Sequence, residues 1–424
     1  MATKDGDEVR LSHDLSEGEV KATQKRKEKV LMCLKNLGIH CDQNNVPNIV
    51  VLGSGGGLRA LIAFLGTLVE LKKQNFLDAV MYLCGVSGST WCMSLLYGDG
   101  KWSENLMSLE KELCKNLSTV SWHIAKAEES LEESSKDEHY SLTDFWASCF
   151  VYKILQQFDE NELADHKDAS ETGINPYPIY AAVDKETLRK EGENSPGTWF
   201  EFTPHEAGYT TLGAFVSTKH FGSEFENGKL KKKGKKKHIC YMQGLWGSAL
   251  GSMEENLKFI RGYYSTLLLI KGTKETSQVR PELSGMTTSG EGCERQQEGL
   301  PQCISEKKVF QEDSFIHPVN TFQVMSLIDA GLAINSGYPL VLRAQRRTDL
   351  IISFDFSSGD PFETIKKTAA YCRKNSIPFP KIEDQEMDEN NPSDCYVFRG
   401  DKSCPTVMHF PLFNTVNCSG AAGS

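Results

Sequence analysis

No stretch of the sequence approaches the ~18–20 consecutive apolar residues of a membrane-spanning helix, which excludes a helical span. The opening, MATKDGDEVRLSHD, is polar and acidic and does not read as a secretory leader. Lipid-attachment signals are missing too: Ala2 stands where myristoylation needs glycine, and Cys418 lies too far from the end for prenylation. The 13 cysteines are odd in number, with no CxxC pair and no Cys/His ligand spacing. That argues against a metal centre and, without a leader, for reduced thiols in the cytosol. Basic residues are outnumbered, 47 Lys and Arg against 57 Asp and Glu, and the net charge of −10 argues against nucleic-acid binding.

What is present is a globular composition, 39% hydrophobic and 25% charged over 424 residues. An N-terminal helical segment is expected in residues 1–40, where Ser16 and Glu19 form a capping-box pair ahead of Val30, Leu31, Leu34 and Leu37. The rest, 41–424, reads as the main domain, interrupted at 271–312 by a polar insert of little periodicity. Within it the β-branched run NIVVL (48–52) feeds GSGGG (53–57) and a helical pattern; AVMYLCG (79–85) then feeds GVSGS and a second helix. Strand, glycine turn, helix, twice over, predicts an α/β fold with a parallel sheet, its catalytic groups at the carboxyl ends of the strands.

GSGGGLRA is neither a dinucleotide fingerprint, since Leu58 stands where a small residue is needed, nor a Walker loop, since Gly-Lys-Ser/Thr is absent. It is either a tight connection or an oxyanion hole, in which residues without side chains let backbone N–H groups approach a tetrahedral intermediate. Ser87 in GVSGS is either a helix cap or a nucleophile; Ser89 replaces the last glycine of the usual nucleophile elbow. For its base, His409 has the right chain order but sits in an apolar alternation. Asp329 is a carboxylate inside the apolar run VMSLIDAGL, where an unpaired charge is expensive. The island KLKKKGKKK (229–237) is either a solvated charge run or a contact for anionic headgroups, worth ~1 kcal/mol per basic residue near a lipid surface.

The motifs GSGGGLRA, GVSGSTW, SLTDFWA, PYPIYAAV, WFEFTPHEAG, FGSEF, GLWGSALG, DAGLAIN, YPLVLR and LIISFDFSSGDPFE occur in one order. With them the chain resembles the catalytic domain of the group IV cytosolic phospholipase A2 family, closest to its gamma-type branch, which lacks a calcium-dependent lipid-binding module. The resemblance implies a three-layer α/β/α fold around a mostly parallel central sheet, no cofactor and no metal. It implies Ser87 as nucleophile, Asp329 as base, Gly56 and Gly57 as oxyanion hole, Arg59 on the substrate phosphate and Arg343 bordering the active site. Lys231, Lys232, Lys233, Lys235, Lys236 and Lys237 fall where the family carries its lid and are candidates for membrane contact. An Asp with an ordinary pKa of ~3.9 is a weak base; burial beside Leu327 and Ile328 would raise it and an arginine lower it.

The expected activity is that of a calcium-independent phospholipase A2 or lysophospholipase with transacylase ability. It would act on glycerophospholipids and lysophospholipids in the cytosol, with peripheral association to intracellular membranes. Because the family's domain continues beyond HFPLFN, the alternative is an inactive, shortened lipid-binding or regulatory form that keeps the site. A His409-dependent hydrolase is the third reading.

Overall fold

The computed structural model describes residues 6–119, 123–137, 139–248, 325–382 and 387–412. The expected insert at 271–312 lies outside them. The strands are β1 (Arg10–Leu11), β2 (Asn48–Gly53), β3 (Tyr82–Gly85), β4 (Tyr177–Asp184), β5 (Trp199–Phe202), β6 (Glu206–Tyr209) and β7 (Ala214–Ser217). They continue with β8 (Glu224–Glu226), β9 (Lys229–Lys232), β10 (Leu327–Asp329), β11 (Thr348–Phe354), β12 (Tyr396–Phe398) and β13 (Thr406–Phe410). Three helices matter most: α1 (Glu17–Asn36), α2 (Gly57–Lys73) and α3 (Gly88–Leu96).

One mixed sheet runs β1-β7-β6-β5-β4-β3-β2-β11-β13-β12, with β10 joined to β4 off this path. Its centre, from β4 through β3, β2 and β11 to β13, is parallel. The flanks are antiparallel. Central strands of a covered parallel sheet are buried on both faces and read as continuous apolar runs; Ile49 to Gly53 is buried without alternation for that reason. In α2 the buried residues fall in pairs, Ala60/Leu61, Phe64/Leu65 and Leu68/Val69, four apart, so one stripe faces the sheet. The result is a three-layer α/β/α fold. Passing from β2 to β3 to β4 moves one way across the sheet, whereas β11 to β13 moves the other. The order therefore reverses between β2 and β11, and open α/β sheets bind ligands at the carboxyl side of such a point.

The N-terminal segment is built into this domain. β1 extends the sheet beyond β7, and Ser16 caps α1 by accepting the Glu19 N–H at 3.1 Å. The Glu19 carboxylate, however, does not complete the expected capping box. It binds Arg346 Nε at 2.9 Å. Arg26 of α1 is fully buried and donates to the carbonyls of Leu77, Val80, Gly173 and Ile174, which moors the helix.

Candidate active site

β2 and β3 end side by side, and each runs through glycine into a helix. Gly56 caps α2 with φ 149° and Gly57 opens it with φ 60°; both lie in the region that favours glycine. Among the described residues no hydrogen bond uses the N–H of either glycine. The loop itself is held firmly. Ser54 Oγ accepts the Phe356 N–H at 2.7 Å, and the Ser54 carbonyl accepts Ser89 Oγ at 2.7 Å. Ser89, the departure from the usual elbow, thus ties the serine turn to the glycine loop.

Ser87 occupies the N-cap position of α3, yet its side chain makes no capping hydrogen bond. Its backbone sits at φ 51°, ψ −120°, a conformation costing about 1–3 kcal/mol for a residue with a side chain. The carbonyl does the helix-starting work, accepting Thr90 N–H at 2.9 Å. Ser87 is 7% exposed. The capping explanation for this serine therefore fails.

Asp329 ends β10 and is fully buried at 0% exposure. Along β4, Gly85 pairs with Tyr180 and Asp329 with Ala182, two positions on. β10 therefore enters the lane of β3 from the opposite direction, and the two strand ends face each other across a short gap. The Asp329 N–H donates to Ser248 Oγ at 3.0 Å, and Oδ1 accepts the Gly331 N–H at 2.8 Å. A methyl built on Gly331 would lie 3.1 Å from Asp329 Oδ1 and 3.7 Å from Val86, the residue before Ser87.

Arg59, in the first turn of α2, is exposed, and its Nε donates to the Phe356 carbonyl at 2.9 Å. Its Nη2 lies 3.3 Å from a methyl built on Gly56, and among the described residues it makes no ion pair. A cation thus flanks the glycine loop.

Arg343 is placed differently. It donates to Glu201 and, at 3.0 Å, to the His13 carbonyl, and stacks over Phe215 at 5.0 Å. Beside it, Arg346 binds both Glu19 and Glu201, with no exposure on any of the three side chains beyond 1%. Burial alone would raise the Glu201 pKa, but the two guanidiniums outweigh it and hold the carboxyl below its ordinary value. Arg343 belongs to this ionic cluster around Glu201 of β5.

The lysine island is not a free basic patch. Lys231 pairs with Glu226 at 3.3 Å, Lys232 with Glu224 at 3.4 Å and Lys235 with Glu133 at 3.0 Å. Lys236 pairs with Glu162, and Lys237 lies 3.1 Å from Asp137 and 3.9 Å from Asp144. Lys233 is exposed. The lysines of the hairpin β8–β9 pair with glutamates of β8 itself, and those of the segment after it meet acidic residues distant in sequence, which neutralises most of the charge.

His409 lies on β13, three strand spacings or about 14 Å from the lane of β3. It is buried, bonded through Nε2 to the Pro361 carbonyl at 2.8 Å, and burial lowers its pKa. It is a core residue. Asn335 and Ser54 were not singled out by sequence, although each sits within a motif carrying the resemblance, and Ser89 was noted only as a departure from the usual elbow.

Residues 49–356 match the family model of the lysophospholipase catalytic domain. The chain belongs to this family. It is 38% identical to cytosolic phospholipase A2 gamma of Homo sapiens, over 97% of this chain and 87% of that protein. It is 35% identical to cytosolic phospholipase A2 zeta of Mus musculus, over 96% of this chain and 54% of the relative. The solved structure of human GIVD cytosolic phospholipase A2 superposes with a TM-score of 0.74 at 28% identity, covering 97% of this chain and 57% of that one. The family supports lipid ester hydrolysis by a phospholipase enzyme.

Proposed function

We propose that this chain is a calcium-independent phospholipase A2 or lysophospholipase working through Ser87 and Asp329. Ser87 Oγ attacks the acyl carbonyl of a glycerophospholipid or lysophospholipid while Asp329 accepts its proton. The N–H groups of Gly56 and Gly57 receive the developing oxyanion at the amino end of α2. Collapse of the tetrahedral intermediate releases the leaving alcohol, a lysophospholipid from a diacyl substrate or a glycerophosphodiester from a lysophospholipid, which takes its proton from Asp329, and leaves an acyl-serine. Water then frees the fatty acid, or a lysophospholipid hydroxyl accepts the acyl group in a transacylation. Arg59 holds the substrate phosphate beside the glycine loop.

The observation that carries this reading is the serine turn. Ser87 bears the cost of a left-handed backbone and leaves its hydroxyl out of the helix cap, beside two unused N–H groups and facing, along the same edge of β4, a strand that ends in a buried carboxylate. Strain held at a single residue in such a place is the mark of a preorganised group.

Work at a peripheral lipid surface is supported by apolar residues left exposed on α2 and on the turn after Asp329. Leu58 and Ile62, four apart on α2, are 40% and 54% exposed, and Leu332, just after the Asp329 turn, is 50% exposed. With the lysines largely paired, these apolar side chains are the better contact for lipid.

Release of fatty acid from phosphatidylcholine and lysophosphatidylcholine vesicles in excess EGTA tests the reading. Wild-type chain should turn over without calcium, and Ser87→Ala should abolish turnover. Turnover retained by folded Ser87→Ala overturns the assignment.

A further inference from the structure

We propose that Asn335 is a positioning residue that locks the glycine loop to the turn carrying Asp329; this rests on the Ser87–Asp329 reading above. The carboxamide of Asn335 grips Gly55 reciprocally. Oδ1 accepts the Gly55 N–H at 3.1 Å, and Nδ2 donates to the Gly55 carbonyl at 3.3 Å. The main-chain carbonyl of Asn335 accepts the same N–H at 3.2 Å. Nδ2 also donates to Ser357 Oγ at 2.6 Å, which orients the amide plane.

The place of that amide explains why both neighbours are glycines. A methyl built on Gly55 would fall 2.4 Å from Asn335 Oδ1 and 2.9 Å from Ser87 Cβ. A methyl on Gly331 would fall 2.8 Å from the same oxygen and 3.1 Å from Asp329 Oδ1. One carboxamide oxygen therefore sits between the residue beside the nucleophile and the residue beside the base. Gly55 immediately precedes Gly56 and Gly57, so fixing both its N–H and its C=O sets the peptide planes that follow. A side chain with only an acceptor or only a donor cannot make both bonds. Asn335 stands six residues after Asp329, at the end of the short turn from β10, so the same segment supplies the base and aligns the oxyanion hole.

The test is steady-state turnover of lysophosphatidylcholine by full-length Asn335→Ala, Asn335→Asp and Ser357→Ala, with folding checked by thermal unfolding. Asn335→Asp keeps the shape and the acceptor but loses the donor, so it reports on the reciprocal grip even if Asn335→Ala does not fold. Both Asn335 variants should lose about 10- to 100-fold in kcat, with KM within twofold. Ser357→Ala, which frees the amide plane, should lose a smaller factor in kcat with KM again unchanged. Folded Asn335→Asp with kcat within threefold of wild type overturns the proposal. So does a rise in KM at unchanged kcat, which would make Asn335 a substrate contact. If the wild-type chain itself neither turns over nor reacts with a fluorophosphonate, the Ser87–Asp329 reading has failed instead.

Discussion

Gly88→Ala should cripple the site while obeying every local rule for a helix. Gly88 is the first residue of α3 and has no positive φ, so by helix propensity alone alanine would be favoured there by up to ~1 kcal/mol. The surroundings forbid it. Its Cβ would lie 2.0 Å from the Gly57 carbonyl oxygen, 2.8 Å from the Gly57 carbonyl carbon and 3.0 Å from Gly57 Cα. All three are backbone atoms, so no rotamer change relieves the contact. A normal C···O separation of about 3.3 Å demands that the serine turn and the glycine loop part by a little over 1 Å. Misplacement of that size costs roughly 100-fold in rate, or about 2.7 kcal/mol of transition-state stabilisation. The assay is lysophosphatidylcholine turnover together with thermal unfolding. Gly66→Ala is the matched control: it lies on an exposed part of α2 with nothing within 4 Å of the added methyl and should stabilise by about 0.5–1 kcal/mol without loss of rate. A Gly88→Ala chain with kcat within threefold of wild type would refute the close apposition of the two loops.

Arg346→Ala leaves Glu19 buried without its partner and Glu201 with Arg343 alone, and should destabilise by roughly 3–5 kcal/mol, read as a fall in urea midpoint. His166 is fully buried against Tyr180, and burial lowers its pKa from 6.5 to about 4. Between those values the unfolded chain holds the extra proton. Stability is therefore full above pH ~6.5 and falls toward pH ~4, by up to ~1.4 kcal/mol per unit from this group. His166→Gln should flatten that part of the profile, as measured by unfolding temperatures from pH 7.5 to 4.5. Changing Lys231, Lys232, Lys235, Lys236 and Lys237 together to Gln should alter sedimentation with anionic vesicles by less than about threefold, because each charge already faces a carboxylate; a tenfold loss would revive the basic-patch reading.

The sheet's centre was legible because parallel strands under two helical layers must be continuously apolar, and NIVVL and AVMYLCG are. The reversal between β2 and β11 was not, since it depends on pairings some 300 residues apart. Ser87 was visible but ambiguous: a cap and a nucleophile share the same letters, and only φ 51° with an idle hydroxyl separates them. Asp329 drew attention as a charge in an apolar run, but its lane opposite β3 is dictated by β4, far away in sequence. Local pattern misled at Glu19, whose spacing from Ser16 fits a capping box while its carboxylate answers to Arg346, 327 residues on. The pairing of Lys235, Lys236 and Lys237 was likewise hidden from local pattern, since their acidic partners lie as much as 102 residues away.

The central claim is that Asp329 alone, with no histidine, activates Ser87. Its most direct test is the rate of fluorophosphonate adduct formation, with the modified peptide identified by mass spectrometry. In wild type the adduct should sit on Ser87, and His409→Ala should label at the wild-type rate provided it folds. Asp329→Asn keeps an acceptor for the Gly331 N–H, so the turn persists, but labelling should slow by about 10²- to 10⁴-fold. Labelling at the wild-type rate in folded Asp329→Asn, or an adduct on another residue, would contradict the account.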